Sequence, residues 1–142
     1  DTGGGILNLI DKSDEENFLI FNPDTIWNNN YATEINQMIN LYFNQKLKNI
    51  LLLVKKDLSF DKSLLGDFGL KNNLINKIDK KYIYTGCQIL NKAIFKNKKI
   101  TSFSITKIWA DLIKERHMSG FESTLKFYHV TNLDIFKKLK DL

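Results

Sequence analysis

The segment "FLIFNPDTIWNNNYATEINQMINLYFNQKLKNILLLV" (residues 18–54) carries most of the information about the architecture. It begins and ends with apolar runs, 18–21 and 50–54, whose continuous hydrophobicity is typical of strands in a sheet covered on both faces. A strand, a helix and a second strand in this order predict a βαβ unit with parallel strands and a right-handed crossover. The helix between the two runs is indicated by apolar residues at helical spacing, namely Tyr31, Ile35, Met38, Ile39 and Tyr42.

The rest of the chain continues in the same α/β pattern. The run "YIYTGCQIL" (82–90) predicts a third strand, and the weaker segment 57–80 predicts a β-excursion with loops. A short strand is expected at "KFYHV" (126–130). No internal repeat or linker divides the sequence, so we predict a single domain over residues 1–142.

Two further helices are marked by their ends. The segment "SITKIWADLIKERH" (104–117) has helical periodicity, with Ser104 or Ser102 as the candidate N-cap. The last helix is expected to begin near Asn132, since acidic Asp134 then lies in its first turn and lysines lie in its last.

Composition limits the classes of function. The chain is 43% hydrophobic and 26% charged, as in ordinary globular proteins, and no apolar stretch is long enough to span a membrane. A single cysteine, Cys87, and the lack of a visible secretory signal predict a cytoplasmic protein. The net charge of +5 comes from scattered lysines, with Arg116 the only arginine, so a solvated surface is favoured over nucleic-acid binding.

The stretch "FNPDTIW" (21–27) places a carboxylate just past the first predicted strand. Ligands in open α/β sheets collect beyond the carboxyl ends of strands, and Asp24 lies there. Pro23 restricts its own φ and favours extended geometry at Asn22. A carboxylate held in this way suits Mg²⁺, although an aspartate after proline is equally a common turn or helix-cap residue.

The opening "DTGGGI" offers backbone amides without side chains, followed by an apolar helix "ILNLI" (6–10). Such a segment can approach an anion closely, or it can be a flexible chain end. Neither a phosphate-binding P-loop nor a dinucleotide fingerprint is present. The two histidines, His117 and His129, have no recognised metal-site spacing with Cys87, which we expect to be buried and unreactive.

The order of the motifs is more specific than any one of them. In succession, "DTGGGI", "FNPDTIW", "YIYTGCQIL", "FSITKIWADLI", "GFES" and "FYHVTNLDIF" resemble the sugar-1-phosphate nucleotidyltransferases. The resemblance is to the branch of N-acetylmuramate-1-phosphate uridylyltransferase and mannose-1-phosphate guanylyltransferase-like proteins. It implies a nucleotide-diphospho-sugar transferase fold, a Rossmann-like and mostly parallel mixed sheet flanked by helices.

The resemblance also implies an activity and a site. The family transfers a nucleoside monophosphate from a nucleoside triphosphate, UTP or GTP in this branch, to a sugar 1-phosphate, with release of pyrophosphate. By this resemblance Thr2, Gly3 and Gly4 would line the nucleotide, and Thr85 and Gly86 would border the sugar. Asp24 would be the catalytic aspartate that holds Mg²⁺.

Two departures from the family pattern qualify this expectation. The family's glycine-rich triphosphate loop has no counterpart, so the chain resembles the C-terminal two-thirds of such an enzyme and we expect it to be N-terminally incomplete and inactive alone. In addition, His129 stands where the family has its second metal-binding aspartate, and imidazole is a poor ligand for Mg²⁺. A non-catalytic nucleotide- or sugar-binding regulatory domain is therefore the alternative.

Overall fold

A six-stranded sheet with helices on both faces forms the core of the protein. The computed structural model describes residues 2–96 and 104–141; the N-cap candidate Ser102 lies outside them. In chain order the elements are α1 (Thr2–Asp11), β1 (Asn17–Phe21), α2 (Tyr31–Asn44), β2 (Asn49–Lys55), β3 (Gly69–Lys71), β4 (Leu74–Asn76), β5 (Tyr82–Asn91), α3 (Ile105–Lys114), β6 (Ser119–Ser123) and α4 (Leu133–Lys140), with single 3₁₀ turns at Lys56–Leu58 and Lys92–Phe95.

The strand order is β1-β5-β2-β6-β4-β3, which confirms a mixed α/β sheet. Strands β1 and β2 both run antiparallel to β5, which lies between them. They therefore share one direction, as the βαβ pattern predicts, but the crossover passes over β5. Among the described strands, β2 and β6 form the one parallel pair, so neighbouring strands are mainly antiparallel rather than mainly parallel. The reason is that β3 and β4 form a hairpin and β5 inserts between β1 and β2.

The central strand β2 separates two hydrophobic layers. Its residues from Asn49 to Val54 are all buried, as the continuous apolar run predicts. Leu51 and Leu53 pack with α1 and α3 on one face. Ile50 and Leu52 pack with Tyr31, Met38 and Tyr42 of α2 on the other face. The alternation of side chains along a strand thus produces a three-layer arrangement.

Strand β1 is not covered on both faces, contrary to the prediction from its apolar run. Leu19 is 42% exposed and Phe21 is 43% exposed. In the described part of the chain β1 pairs on one side alone, with β5, and is therefore an edge strand. Continuous hydrophobicity did not distinguish this edge strand from the buried centre of the sheet.

The strand after α3 also differs from the prediction. "SGFES" (119–123) forms β6, whereas "KFYHV" (126–130) makes only isolated bridges, Ser59 to Phe127 and Thr25 to His129. The short, polar β6 is held by its parallel pairing with β2. Gly120 allows the Leu70 side chain to pack closely against β6, since a Cβ at position 120 would lie 2.8 Å from Leu70 Cδ1.

Both predicted helix starts are confirmed. The Ser104 hydroxyl accepts from the backbone N–H of Thr106 at 3.3 Å. The Asn132 side chain accepts from the N–H of Ile135 at 2.9 Å and caps α4. Across residues 2–96 and 104–141, no helix combines the length and apolar character needed to cross a membrane.

Candidate active site

Asp24 lies just past the end of β1, in a loop whose backbone is fixed on two sides. The N–H of Asn22 donates to the carbonyl of Gly86 at 2.8 Å, and the N–H of Val130 donates to the carbonyl of Asp24 at 2.8 Å. The Asp24 side chain is 48% exposed. A solvent-facing carboxylate is therefore carried on backbone that is held in one position.

Gly86 makes the close approach of this loop to β5 possible. Its φ of +92° is in a region that favours glycine, and a Cβ would lie 2.8 Å from Asn22 Cβ. The neighbouring Thr85 is buried; its carbonyl accepts from the Thr25 hydroxyl at 2.7 Å and its own hydroxyl donates to the Leu52 carbonyl at 2.9 Å. The polar groups of Thr85 and Gly86 thus hold the Asp24 loop, and their contact with a sugar stays a prediction.

His129 and Asp24 come together, as their positions in the resemblance imply. Thr25 and His129 form an antiparallel bridge, and His129 Nδ1 lies 3.8 Å from Asp24 Oδ1. The imidazole stacks on Phe127, with ring centroids 5.7 Å apart and planes at 9°. Its Nδ1 atom is buried and makes no hydrogen bond within the described residues. His129 Nδ1 therefore lies near the Asp24 carboxylate without a hydrogen bond to it.

Asp61 is a third side chain at this place that sequence reasoning missed. The segment around Ser59 pairs in parallel with the segment around Phe127, and the N–H of Phe60 donates to the Phe127 carbonyl at 2.9 Å. Two residues further along each segment, Asp61 therefore lies beside His129. Since only tertiary pairing brings the two residues near each other, no local spacing could have revealed their proximity.

The Asp61 carboxyl is almost completely buried, with 4% of its residue surface exposed. Its Oδ1 atom accepts from the N–H of Ser63 at 2.9 Å and from the Ser63 hydroxyl at 2.7 Å. The Ser63 hydroxyl, then the Thr131 hydroxyl, the Ser63 N–H and the charge of His129 lower the pKa of Asp61 despite its desolvation. Its Oδ2 atom is buried and has no hydrogen bond among the residues described.

A cavity of about 210 Å³ lies near the start of β5, where Phe68, one of its lining residues, pairs with Tyr82. Lys77, Lys80, Thr106 and Trp109 are among the residues that line it. The Trp109 indole Nε1 is buried and has no hydrogen-bond partner in the described structure. Two ammonium groups and an unsatisfied N–H donor make this a suitable environment for an anionic ligand.

Tyr84 packs against Trp109, one of the residues that line this cavity. Its ring packs edge-to-face on Trp109, with centroids 5.0 Å apart. Burial raises the pKa of Tyr84, and the charges of Cys87 and Asp24 raise it further. Asp67 also lines the cavity. One of its carboxylate oxygens, Oδ2, accepts a hydrogen bond from the Tyr84 N–H at 2.9 Å.

The glycine segment has a different local structure from the one predicted. Helix α1 already begins at Thr2, so Gly3 and Gly4 lie in its first turn instead of in a loop before it. Their amides are thus among the unpaired donors at a helix N-terminus. Gly3 is buried and Gly4 is partly exposed. A nucleotide contact of Thr2, Gly3 and Gly4 stays a prediction.

The side chains near Asp24 can be compared with the ligands that Mg²⁺ prefers. Within residues 2–96 and 104–141, no three His, Cys, Asp or Glu side chains form a group that could hold a metal ion. Mg²⁺ commonly takes one or two carboxylates and completes its shell with water and substrate phosphates, so Asp24 fits this ion. The His129 nitrogen does not fit it, because Mg²⁺ prefers oxygen. Cys87 is fully buried, and burial raises its pKa to about 12, as expected for an unreactive thiol.

Solved structures of known proteins share this fold. A structure assigned as a glucose-1-phosphate thymidylyltransferase from Bacillus anthracis matches with a TM-score of 0.71 and 17% identity, over 97% of this chain and 57% of the other. The inositol-1-phosphate CTP transferase from T. maritima matches with a TM-score of 0.70 and 12% identity, over 97% and 60%. A UDP-glucose pyrophosphorylase matches with a TM-score of 0.65 and 16% identity, over 96% and 57%.

The chain therefore has the fold of the sugar-phosphate nucleotidyltransferases, the family that its motifs resemble. It spans about three-fifths of the length of these structures. No protein-family model and no curated protein sequence matches it.

Proposed function

We propose that this chain carries part of the active site of a nucleotidyltransferase that transfers a nucleoside monophosphate from UTP or GTP to a sugar 1-phosphate, releasing pyrophosphate. The observation that carries this proposal is the exposed Asp24 carboxylate, held on fixed backbone past the end of β1, in a chain that also has a lysine-lined cavity beside Trp109. The shared fold supports the general reaction class.

The reaction requires positioning and charge neutralisation more than a covalent intermediate. The phosphate oxygen of a sugar 1-phosphate is itself a nucleophile, so the chain needs to align it with the α-phosphate of the nucleotide. Lys77 and Lys80 attract the sugar phosphate into the cavity. The Trp109 N–H and the Thr106 hydroxyl are donors for its oxygens. Cys87 takes no part, because it is buried.

In this proposal Asp24 binds Mg²⁺, which when bound neutralises charge on the phosphates. Thr2, Gly3 and Gly4 lie along the nucleotide through the backbone amides at the start of α1. Thr85 and Gly86 border the sugar from β5 while they fix the Asp24 loop. Partners are thus a nucleoside triphosphate and a sugar 1-phosphate.

The test uses the whole natural chain that contains these residues. Pyrophosphate release is measured with UTP or GTP, Mg²⁺ and a panel of sugar 1-phosphates. We expect Asp24→Asn to lower the rate by at least about 100-fold, which corresponds to roughly 2.7 kcal/mol of transition-state stabilisation. Asp14→Asn, which changes an exposed loop carboxylate, is the matched control and should leave the rate unchanged.

Two outcomes would contradict the proposal. If no pair of substrates reacts, the chain is not an enzyme of this class; if UTP or GTP then still binds, it is the non-catalytic regulatory domain instead. If Asp24→Asn reacts as fast as Asp14→Asn, the assigned role of Asp24 is wrong.

A further inference from the structure

We propose that the protein docks on the surface of an anionic lipid bilayer through two adjacent loops, residues 62–67 and 77–81, which together are called the basic loop pair. Leu65 and Ile78 of this pair enter the apolar part of the lipid interface, and the lysines of the pair contact the lipid phosphates. The docking surface does not depend on the reaction proposed above.

Leu65 and Ile78 are the two most exposed large hydrophobic side chains in the described part of the chain. Leu65 is 83% exposed and Ile78 is 93% exposed. Within the described residues neither side chain belongs to a cluster of the hydrophobic core. Single exposed apolar residues are common on protein surfaces, but two on adjacent loops form one apolar feature that a partner can cover. Transfer of such side chains from water to an apolar environment is favourable.

The backbones of the two loops are in direct contact. Gly66 has a φ of +83°, and a Cβ at this position would overlap the Lys80 carbonyl. The Asn76 Oδ1 atom accepts from the N–H of Ile78 at 3.0 Å, which fixes the turn that carries Ile78. Leu65, the neighbour of Gly66, and Ile78 are therefore presented by adjoining segments whose backbones restrain each other.

The surface around these two side chains is strongly basic. The basic loop pair contains four lysines and two aspartates, and one aspartate, Asp79, is paired with Lys81 at 2.7 Å. Lys71 and Arg116 line a groove together with Ile78 and add two positive charges. Six cations less two carboxylates give this surface a net charge of +4, close to the +5 of the whole chain. The exposed cations are Lys62, Lys71, Lys77, Lys80, Lys81 and Arg116.

The residue types favour a lipid surface over a protein partner. Protein–protein interfaces are depleted in lysine and enriched in aromatic residues, methionine and arginine. Here five of the six cations are lysines, and the two most exposed apolar side chains are aliphatic. Clusters of four to eight basic residues attract anionic lipids, and the binding of a peripheral protein increases with both its positive charge and the apolar area it inserts. The basic loop pair combines these two properties.

Co-sedimentation with lipid vesicles measures the docking, and it uses the whole natural chain that contains these residues. Vesicles of phosphatidylcholine mixed with phosphatidylglycerol are compared with vesicles of phosphatidylcholine alone. We expect at least about 10-fold tighter binding to the anionic vesicles, and weaker binding as salt is added, because salt screens the attraction between lysines and phosphates. Equal binding to both kinds of vesicle, or no binding to the anionic ones, would overturn the inference.

The apolar contribution is tested by changing both aliphatic side chains. Leu65→Asn combined with Ile78→Asn should weaken binding to the anionic vesicles at least about 10-fold, because the inserted apolar area is lost. Leu9→Asn is the matched control. Leu9 is 72% exposed, but it lies near the end of α1, which shares a pocket with Lys92 after the end of β5, whereas residues 77–81 precede the start of β5. A double variant that binds as tightly as Leu9→Asn would contradict the proposal.

The electrostatic contribution is tested at a lysine outside the cavity of the proposed function. Lys71→Gln should weaken binding to the anionic vesicles about 5-fold, the effect of one basic residue near a charged lipid surface. Lys77 and Lys80 are left unchanged because they line that cavity. The control is Lys48→Gln, at an exposed lysine whose carbonyl accepts from the Asn91 N–H at the far end of β5. Equal effects of the two changes would mean that binding follows the charge of the whole chain, against the proposal.

Insertion into the lipid is measured with Ile78→Trp, a change at an exposed side chain. The fluorescence of the added indole should be quenched by brominated lipid in the anionic vesicles. The parent, whose two tryptophans are Trp27 and Trp109, should show little quenching under the same conditions. Equal quenching of the variant and the parent would refute the insertion of Ile78.

A protein partner predicts a different set of results. If the chain ignores vesicles but elutes as a dimer, and the double variant of Leu65 and Ile78 elutes as a monomer, the surface is an interface between two copies and the proposal is wrong. Pyrophosphate release is measured without lipid. A chain that releases pyrophosphate but does not bind anionic vesicles would therefore refute the docking proposal while the proposed function stands.

Discussion

The amide of Asn22 donates to the carbonyl of Gly86 at 2.8 Å, across a gap that leaves no room for a side chain on Gly86. This contact joins the end of β1 to β5. Asp24 follows two residues later, so the position of its carboxylate depends on how closely these two backbones approach. Gly86 thereby influences the site even though it is buried.

Gly86→Ala should destabilise the protein by about 1–3 kcal/mol. The φ of +92° disfavours alanine, and the new Cβ would lie 2.8 Å from Asn22 Cβ. The free energy of unfolding is measured by urea denaturation. Gly5→Ala is the control, since nothing lies within 4 Å of a Cβ there, and it should be neutral or stabilising. Equal stability of the two variants would show that the close approach is not required.

How much of this arrangement the sequence predicts depends on the range of the interactions. Helix α2 follows from the spacing of Met38 and Tyr42, and the double burial of β2 follows from its apolar run, because both patterns are local. The edge position of β1 and the insertion of β5 depend on pairing between distant segments. Periodicity carries no information about that pairing.

The candidate site divides in the same way. Asp24 could be singled out because a strand and a proline precede it, and His129 because of its place in the motif order. Asp61 could not, since only the parallel pairing of Ser59 with Phe127 brings it near His129. The cavity at Trp109 likewise combines the β3–β4 hairpin region with α3, which are far apart in the chain.

Thr25→Val should cost about 1–2 kcal/mol of stability and loosen the Asp24 loop. The change preserves the shape of the side chain but removes the buried hydrogen bond from the Thr25 hydroxyl to the Thr85 carbonyl. The Thr85 carbonyl then lacks this hydrogen bond in a buried environment, which is costly. Thr33→Val, at an exposed position of α2, is the matched control and should change stability by less than about 0.5 kcal/mol. Amide hydrogen exchange at Val130 should quicken in Thr25→Val, because its N–H donates to the Asp24 carbonyl.

The lysine-lined cavity should bind phosphate. The indole N–H signals of the two tryptophans of the chain can be used to measure this binding. In ¹H–¹⁵N spectra, the Trp109 indole N–H should shift on titration with inorganic phosphate, since it is an unsatisfied donor. The Trp27 indole, which donates to the Asn22 carbonyl at 3.3 Å, serves as the internal control and should not move. Lys80→Gln should weaken the Trp109 response, and Lys62→Gln, outside the cavity lining, should not. A response in Trp27 alone would contradict the assignment.

The single thiol should be inert in the folded protein at neutral pH. Cys87 is fully buried and its pKa is raised to about 12, so little thiolate is present and reagents cannot reach it. Iodoacetamide should leave the folded chain unmodified at pH 8 and alkylate it fully in urea. Rapid alkylation without denaturant would mean that β5 opens locally, and its rate would then measure that opening.

Stability should fall as the pH rises from about 9 to about 12. Burial raises the pKa of Cys87 from 9.0 to about 12 and the pKa values of Tyr31 and Tyr42 from 10.0 to about 12, with the charge of Glu34 adding to the effect at Tyr31. In this interval the folded chain keeps protons that the unfolded chain has lost. The unfolded state is therefore favoured with rising pH, by at most about 1.4 kcal/mol per pH unit for each titrating group.

Urea midpoints at pH 8, 10 and 11 measure this dependence. Tyr42→Phe removes one of the titrating groups and should flatten the decline above pH 10, although it also loses the hydrogen bond from the Tyr42 hydroxyl to Asn17 Oδ1 and is less stable at every pH. The slope with pH, not the absolute midpoint, is thus the quantity to compare. A midpoint that stays constant between pH 8 and pH 11 would mean that these groups are hydrated in the folded protein, against the burial that places them in the core.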